Sequence, residues 1–425
     1  MANRYWVNGT GTWDNVDTTH RSATSNGAGG QSVPGVSDAV ILDASSCAGG
    51  ESITVNTNFS VVSVTMGAFT GTLDFSVNNN SPTMGTFSNS GAGTRTLKLG
   101  SGTFYITNTG ANTVVNFQTT TGLTFDAGTS TIDLSGNATV SIRTIVGGGD
   151  SFPFNNLKIS AGSTQVTINA TSCNNLDFTG FTGIGDSTTG VGITIAGNLI
   201  CGAGMTWNSD TGALTFIATS PKTITMNGVK INRPITFNGV GGTWTLQDDL
   251  DMSGASLRAL AVTNGTLDAN DHNVKCGSSS NTGTITMGSG TWEYVGTGNV
   301  WTCAGTVNSE TSTIKITNTS DTALSFLGNG KTYNNIWFSR GASTASNTIT
   351  GSSTFNDFKD DGTAAHSIIF THGTTTGFTT WNINGADASN LITITSDTAA
   401  TFTLKNNGTA PVFAQYLNIS KSVAT

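Results

Sequence analysis

Short runs in which apolar and polar side chains alternate recur along the whole chain, and they leave little room between them for anything else. They include Ser52-Ile-Thr-Val-Asn56, Arg95-Thr-Leu-Lys-Leu99, Gln165-Val-Thr-Ile-Asn169, Lys222-Thr-Ile-Thr-Met226 and Thr313-Ile-Lys-Ile-Thr317. A period of two means strands with one face buried and one face wet. Corners of Gly, Asn and Ser separate them, such as Asn108-Thr-Gly110, Ser135-Gly-Asn137 and Gly328-Asn-Gly330, too frequent to admit helices. Only Ser253-Gly-Ala-Ser-Leu-Arg-Ala-Leu-Ala261 reads as briefly helical, and a strand fits it equally well.

Composition agrees. Thr suits strands, while Gly and Asn tolerate the left-handed angles of tight corners. Only 10 % of the 425 residues are charged and the net charge is −8, whereas a disordered chain of such modest hydrophobicity carries a high charge density. The chain is expected to fold, and to be all-β.

It also repeats itself. Gly71-Thr-Leu-Asp74 recurs as Gly265-Thr-Leu-Asp268, and Gly100-Ser-Gly-Thr-Phe104 as Gly288-Ser-Gly-Thr-Trp292. Thr129-Ser-Thr-Ile132 recurs as Thr311-Ser-Thr-Ile314, and Asn155-Asn-Leu157 as Asn334-Asn-Ile336. The matches keep their order, which points to duplication of a unit of about 185 residues. Smaller echoes, Gly242-Thr-Trp-Thr245 with Gly290-Thr-Trp292 and Tyr416-Leu-Asn-Ile-Ser420 with Asn156-Leu-Lys-Ile-Ser160, suggest coils of roughly 20 to 25 residues, the length of a β-solenoid turn. A repetitive β-solenoid, parallel β-helix-like, is therefore the expected fold, with tandem β-sandwich domains as the alternative. The expected organisation is an N-terminal cap or attachment segment over 1–45, a first β-repeat half over 46–235 and a second over 236–425. Tyr5, Trp6 and Trp13 mark the cap, which a solenoid needs to cover its open edge. Ser420 to Thr425 shows no cap, so truncation or a partner is expected at that end.

Several function classes are disfavoured. The 17 Lys and Arg residues do not cluster, so a phosphate-tracking, nucleic-acid-binding surface is not expected. Met1 to Gly9 lacks the apolar core of a secretory signal, and no apolar run reaches the length of a membrane span; synthesis in a cytoplasm without Sec export is expected. Cys47, Cys173, Cys201, Cys276 and Cys303 are widely spaced and read as buried free thiols.

Candidate chemistry is sparse. Asp357, Asp360 and Asp361, with His366 and His372 nearby, form the densest acidic cluster and read as a solvated corner, with glycoside hydrolysis as the sharper alternative. A calcium loop is a further alternative for that cluster and for Asp248, Asp249 and Asp251, and the stretch Asp268-Ala-Asn-Asp271-His272 is similarly suggestive, but all are incomplete as calcium loops. No G-x-S-x-G elbow accompanies His20, His272, His366 and His372, so Ser/His/Asp catalysis is unsupported. Gly147-Gly-Gly149 and Gly27-Ala-Gly-Gly30 lack the lysine of a P-loop and read as turns. Trp207, Trp244, Trp292 and Trp337 lie in alternating segments and are expected in the core or an interface. No catalytic residue, metal or cofactor is assigned.

Three segments resemble structural or tail-fibre-like proteins of tailed bacteriophages and prophages: Arg4-Tyr-Trp-Val-Asn-Gly-Thr-Gly-Thr-Trp-Asp14, Gly330-Lys-Thr-Tyr-Asn-Asn-Ile-Trp-Phe-Ser-Arg-Gly341 and Thr354-Phe-Asn-Asp-Phe-Lys-Asp-Asp-Gly-Thr-Ala-Ala-His366. The resemblance implies a non-enzymatic virion protein, a fibre, spike or capsid-decorating scaffold. It implies a homotrimer contacting other virion proteins, with a host surface glycan as a candidate partner. A polysaccharide depolymerase of tailspike type and a bacterial surface adhesin are the competing expectations.

Overall fold

The computed structural model describes residues 1–151, 153–254 and 257–425, and among these every regular element is a strand. Strands pair in parallel with their counterparts one coil away, so the chain is a β-solenoid. Tandem sandwiches are excluded, because their sheets are built from antiparallel neighbours. Of the one segment with helical character, Ala255 and Ser256 lie outside the described residues, and its end enters the strand Ala259–Asp268. Contacts divide the chain into two units, Met1–Leu214 and Thr215–Thr425; this division falls ahead of the one expected after residue 235.

In the first unit Phe104, Ile132, Leu157, Leu176 and Leu199 stand in direct register on successive coils, all fully buried. The steps are 28, 25, 19 and 23 residues, scattered around the expected coil length. Burying such a side chain stabilises by about 1.5–3 kcal/mol, and the register repeats that gain at every coil. A second wall stacks Gly11–Trp13, Ser52–Val55, Thr72–Asp74, Arg95–Lys98 and Leu123–Asp126.

The N-terminal end of this unit is closed. Asn3–Trp6 runs parallel to Ala39–Leu42 on one side and antiparallel to Arg21–Ser22 on the other. Trp6 and Trp13 lie buried with ring centroids 6.4 Å apart. The Arg21 guanidinium sits 4.4 Å and 5.0 Å from those two centroids, a cation held by aromatic faces where the column would otherwise meet water. Burial drives its pKa down to about 10, against the opposing charges of Asp17 and Asp14.

In the second unit the column Val274, Trp292, Ile314, Ile336, Phe358 and Trp381 climbs one wall of nine strands, from Leu250–Asp251 to Ser422–Ala424. Leu417–Ile419 pairs with Ile392–Ser396, and Ile419 and Val423 are partly exposed.

The long strands depart from simple alternation. Phe154–Ile159, Thr332–Phe338 and Ser353–Asp360 each contain the order buried, outward, outward, buried, outward, buried. Two successive outward residues bend the strand without breaking its ladder, because the same bend recurs on the next coil.

The duplicated segments occupy matching places. Asp74 accepts the Ser76 N–H at 2.8 Å, and Asp268 accepts that of Asn270 at 2.9 Å. Gly100 and Gly288 both hold left-handed φ, and the serine after each donates its N–H to the side chain of the preceding coil, Asn79 or Asp271. Asn155 and Asn334 reach the carbonyls of Ser130 and Ser312, at 3.4 Å and 3.2 Å. Sequence repetition here encodes corner chemistry.

Candidate functional site

Outward side chains form rows along the walls. In the second unit one row contains Thr313, Asn335, Asp357 and Thr380, one residue from each of four adjacent coils. Beside it runs a second: Asp251, Lys275, Glu293, Lys315, Trp337, Lys359 and Asn382. Because the strands are in register, each row places its groups at the interstrand spacing of about 4.8 Å.

At the N-terminal end of these rows the charges are matched. Lys230 lies 3.2 Å from Asp251 and Lys275 lies 3.0 Å from Glu293; Asp251, Lys275 and Glu293 line a groove of about 380 Å³ with Asp249 and Thr291. Burial raises the pKa of Asp251, but the Ser253 hydroxyl and N–H, with Lys230, pull it below the usual carboxylate value.

Further along, the character changes. The ammonium groups of Lys315 and Lys359 both lie 3.9 Å from the Trp337 ring centroid. They come from the strands on either side of Thr332–Phe338, so the indole is sandwiched between two cations. Asn335 donates to the Thr313 hydroxyl at 3.2 Å, and Asn382 donates to Asp357 at 2.7 Å. Partial burial raises the Asp357 pKa despite Asn382 and Lys359.

Of the two places expected for Trp337, the core or an interface, the structure removes the core. Tyr333-Asn-Asn-Ile-Trp-Phe338 follows the two-residue outward bend, so Tyr333, Ile336 and Phe338 face in and Trp337 faces out. Trp207, Trp244 and Trp292 are buried. The five cysteines are buried and none is in a disulfide.

The acidic cluster separates into three places. Asp360 is buried, against the reading of this stretch as a solvated corner: it faces inward between Phe338 and Ile383. His366 joins it, with Nε2 3.0 Å from Asp360 Oδ2. Asp357 faces outward, Asp361 lies 3.9 Å from Lys359, and His372 pairs with Asp397 at 3.0 Å.

The calcium-loop candidates hold backbone. Asp248 accepts the N–H groups of Met226 and Asn227. Asp249 takes both the N–H and the side-chain amide of Asn273 at 2.9 Å, and Asp271 takes the Ser289 N–H. These are the short side-chain-to-backbone bonds that define corners.

Buried arginines went unnoticed in the sequence. Arg340 donates to the carbonyls of Asn318, Ser320 and Thr322, and to the Asn347 side chain at 2.8 Å. Arg95 does the same work in the first unit, binding Asn89 and the carbonyls of Gly93, Thr119 and Thr121. A lone Arg in a Gly/Ser-rich stretch is the available sequence signal.

Compared with known proteins, the chain matches no family model, no curated protein and no solved structure. No helix among the described residues is long and apolar enough to cross a membrane.

Proposed function

We propose that the chain is a non-enzymatic structural protein of a bacteriophage particle, a fibre, spike or capsid-decorating scaffold that presents outward rows at fixed spacing. The observation that carries this reading is how the carboxylates are used. Asp74, Asp248, Asp249, Asp268 and Asp271 all accept backbone N–H groups that shape corners. Asp251 and Glu293, which share a groove, are each paired with a lysine. Glycoside hydrolysis asks for two carboxylates about 5–10 Å apart and free to exchange protons, so this arrangement favours binding.

The resemblance of the three segments to tailed-phage structural proteins supports the virion assignment, and a ladder of parallel strands with a closed N-terminal end suits a protease-resistant spacer. A homotrimer and contacts with other virion proteins belong to the same proposal. The test is cryo-EM of the purified particle with this chain located in it. Density at the tail tip or over the capsid supports the proposal and selects between attachment and decoration; absence of the chain from purified particles overturns it.

A further inference from the structure

In the second unit the strand Thr375–Ile383 is only half covered by the next coil. Phe402–Asn406 pairs with Thr375–Phe378 and stops, its ladder ending on the bond from the Asn407 N–H to the Phe378 carbonyl at 2.7 Å. The sequence Asn407-Gly-Thr-Ala-Pro411 then breaks the strand, since Gly weakens it and Pro has no N–H to give a ladder. Residues 407–416 arch over 379–383 instead. Both feet of the arch are tied. The Asn406 side chain accepts the Gly408 N–H at 2.9 Å and donates to the Ala410 carbonyl at 3.4 Å, while the Gln415 N–H donates to the Asn384 side chain at 2.9 Å and its carbonyl accepts the Gly385 N–H at 3.1 Å. Beneath the arch lies a cleft of about 360 Å³.

The cleft has two unlike linings, and every residue in them is uncharged. The strand supplies hydroxyls and amides. Thr379 and Thr380 take the two-residue outward bend, and Asn382 and Asn384 follow them. Asn382 spends its amide N–H on Asp357 at 2.7 Å and keeps its carbonyl oxygen as an acceptor; Asn384 spends its carbonyl oxygen on Gln415 and keeps its amide as a donor. The arch supplies the apolar side, Ala410-Pro-Val-Phe413. Phe413 is 79 % exposed, and it alone among the described phenylalanines and tryptophans stands out in water, forgoing the burial that the other rings gain. Trp381 also lines the cleft, and its buried indole N–H has no partner. The charges one strand below, Asp357 and Lys359, are of opposite sign, so the cleft offers no net charge to select an ion.

We propose that this cleft binds one neutral sugar unit of a glycan, with the Phe413 ring stacked on the apolar face of the sugar and Thr380, Asn382 and Asn384 meeting its hydroxyls. Uncharged donors and acceptors beside an exposed ring match a ligand whose rim is all hydroxyl and whose face is C–H. The volume lies near the lower bound of ligand sites, about 300 Å³, which suits a single sugar unit. An extended peptide would have to displace the tied arch to pair with 379–383, whereas a sugar fits beneath it. A nucleic acid strand needs a file of cations for its phosphates, and none lines the cleft. The site rests on the reading of this protein as a binding scaffold, and it assigns that scaffold a ligand class.

The test uses the purified full chain and saturation-transfer-difference NMR titrations with glucose, galactose, mannose, N-acetylglucosamine and rhamnose. Glucuronic acid, a Thr/Val hexapeptide and a single-stranded oligodeoxynucleotide are the comparators. At least one neutral sugar is expected to bind, and Phe413→Ala to weaken it by about fivefold or more, whereas Phe413→Tyr keeps the ring and is expected to hold affinity within about twofold. Val240→Ala, at an exposed apolar side chain elsewhere in the same unit, is expected to leave binding unchanged. The proposal is overturned if none of the five neutral sugars binds, if a comparator binds as tightly, if binding is indifferent to Phe413→Ala, or if Phe413→Tyr loses as much as the alanine variant. Because the assay contains no particle, such a failure leaves the virion assignment standing, whereas absence from the particle leaves the cleft's own result intact.

Discussion

His366 Nε2 lies 3.0 Å from Asp360 Oδ2 inside the second unit, at inward positions whose register partners are Ile392 for the histidine and Phe338 and Ile383 for the aspartate. The other ring nitrogen lies 2.8 Å from the Ala364 carbonyl. Both nitrogens thus face acceptors, which calls for a doubly protonated, charged ring.

That geometry sets a pH dependence. Burial disfavours the charged ring, but the hydrogen bond and charge of Asp360 and the Ala364 carbonyl outweigh it and the opposing Arg340, raising the His366 pKa above 6.5. The unfolded chain releases this proton first. The pair's contribution is therefore complete below pH 6.5 and is lost as pH rises through the raised native value. The urea midpoint is expected to fall over that window with an unchanged slope, and His366→Gln is expected to flatten the fall.

Removing one member should cost more than removing both. Asp360→Ala leaves a buried imidazolium unpaired and is expected to destabilise by about 3–5 kcal/mol. Asp360→Ile with His366→Phe restores apolar side chains like those of adjacent coils, and is expected to cost less than the sum of the two single changes. A double-mutant cycle by chemical denaturation measures the difference.

Three glycines separate conformation from crowding. Gly298 has left-handed φ and open space beside it, Gly290 has an ordinary φ with the His272 carbonyl 2.2 Å from where a Cβ would sit, and Gly288 combines left-handed φ with the Asp271 backbone at 2.5 Å. Gly298→Ala is expected to cost about 1–2 kcal/mol. Gly290→Ala forces the preceding coil to move and is expected to cost more, with Gly288→Ala the most damaging; thermal melts of the three variants give the order.

The thiols report on each unit separately. Cys47, Cys173 and Cys201 belong to the first unit, Cys276 and Cys303 to the second. Burial pushes Cys47 and Cys173 up to about 12 and raises Cys276 and Cys303 as well. No reaction with Ellman's reagent is expected at pH 8 in the folded protein. If the units open independently in denaturant, labelling followed by peptide mapping should show these two groups reacting at different midpoints.

Much of the fold was legible because strand, corner and repeat each leave a local mark. Gln165–Asn169 is a strand over its expected bounds, and the four duplicated motifs hold equivalent bonds. The outward row was harder to read, since Trp337 faces out only because two consecutive Asn residues bend its strand; strict alternation places it with the core. Asp360 and His366 belong to a stretch that the sequence presents as a wet corner, because it does not show that both face inward from consecutive strands of different sheets. Arg340 was missed because its partners are carbonyls, which any residue supplies.

Asn8, Asn26, Asn227 and Asn329 all hold left-handed φ and all precede a glycine. Asn–Gly is the dipeptide most prone to spontaneous deamidation, in which the following backbone nitrogen attacks the side-chain amide and reroutes the chain through a succinimide. Where the corner is pinned between coils, as Asn329 is by its amide on the Cys303 carbonyl, that attack is sterically denied. The corners that shape the coils thereby slow the chemical ageing of the folded protein, and lasting damage would begin in molecules that have opened.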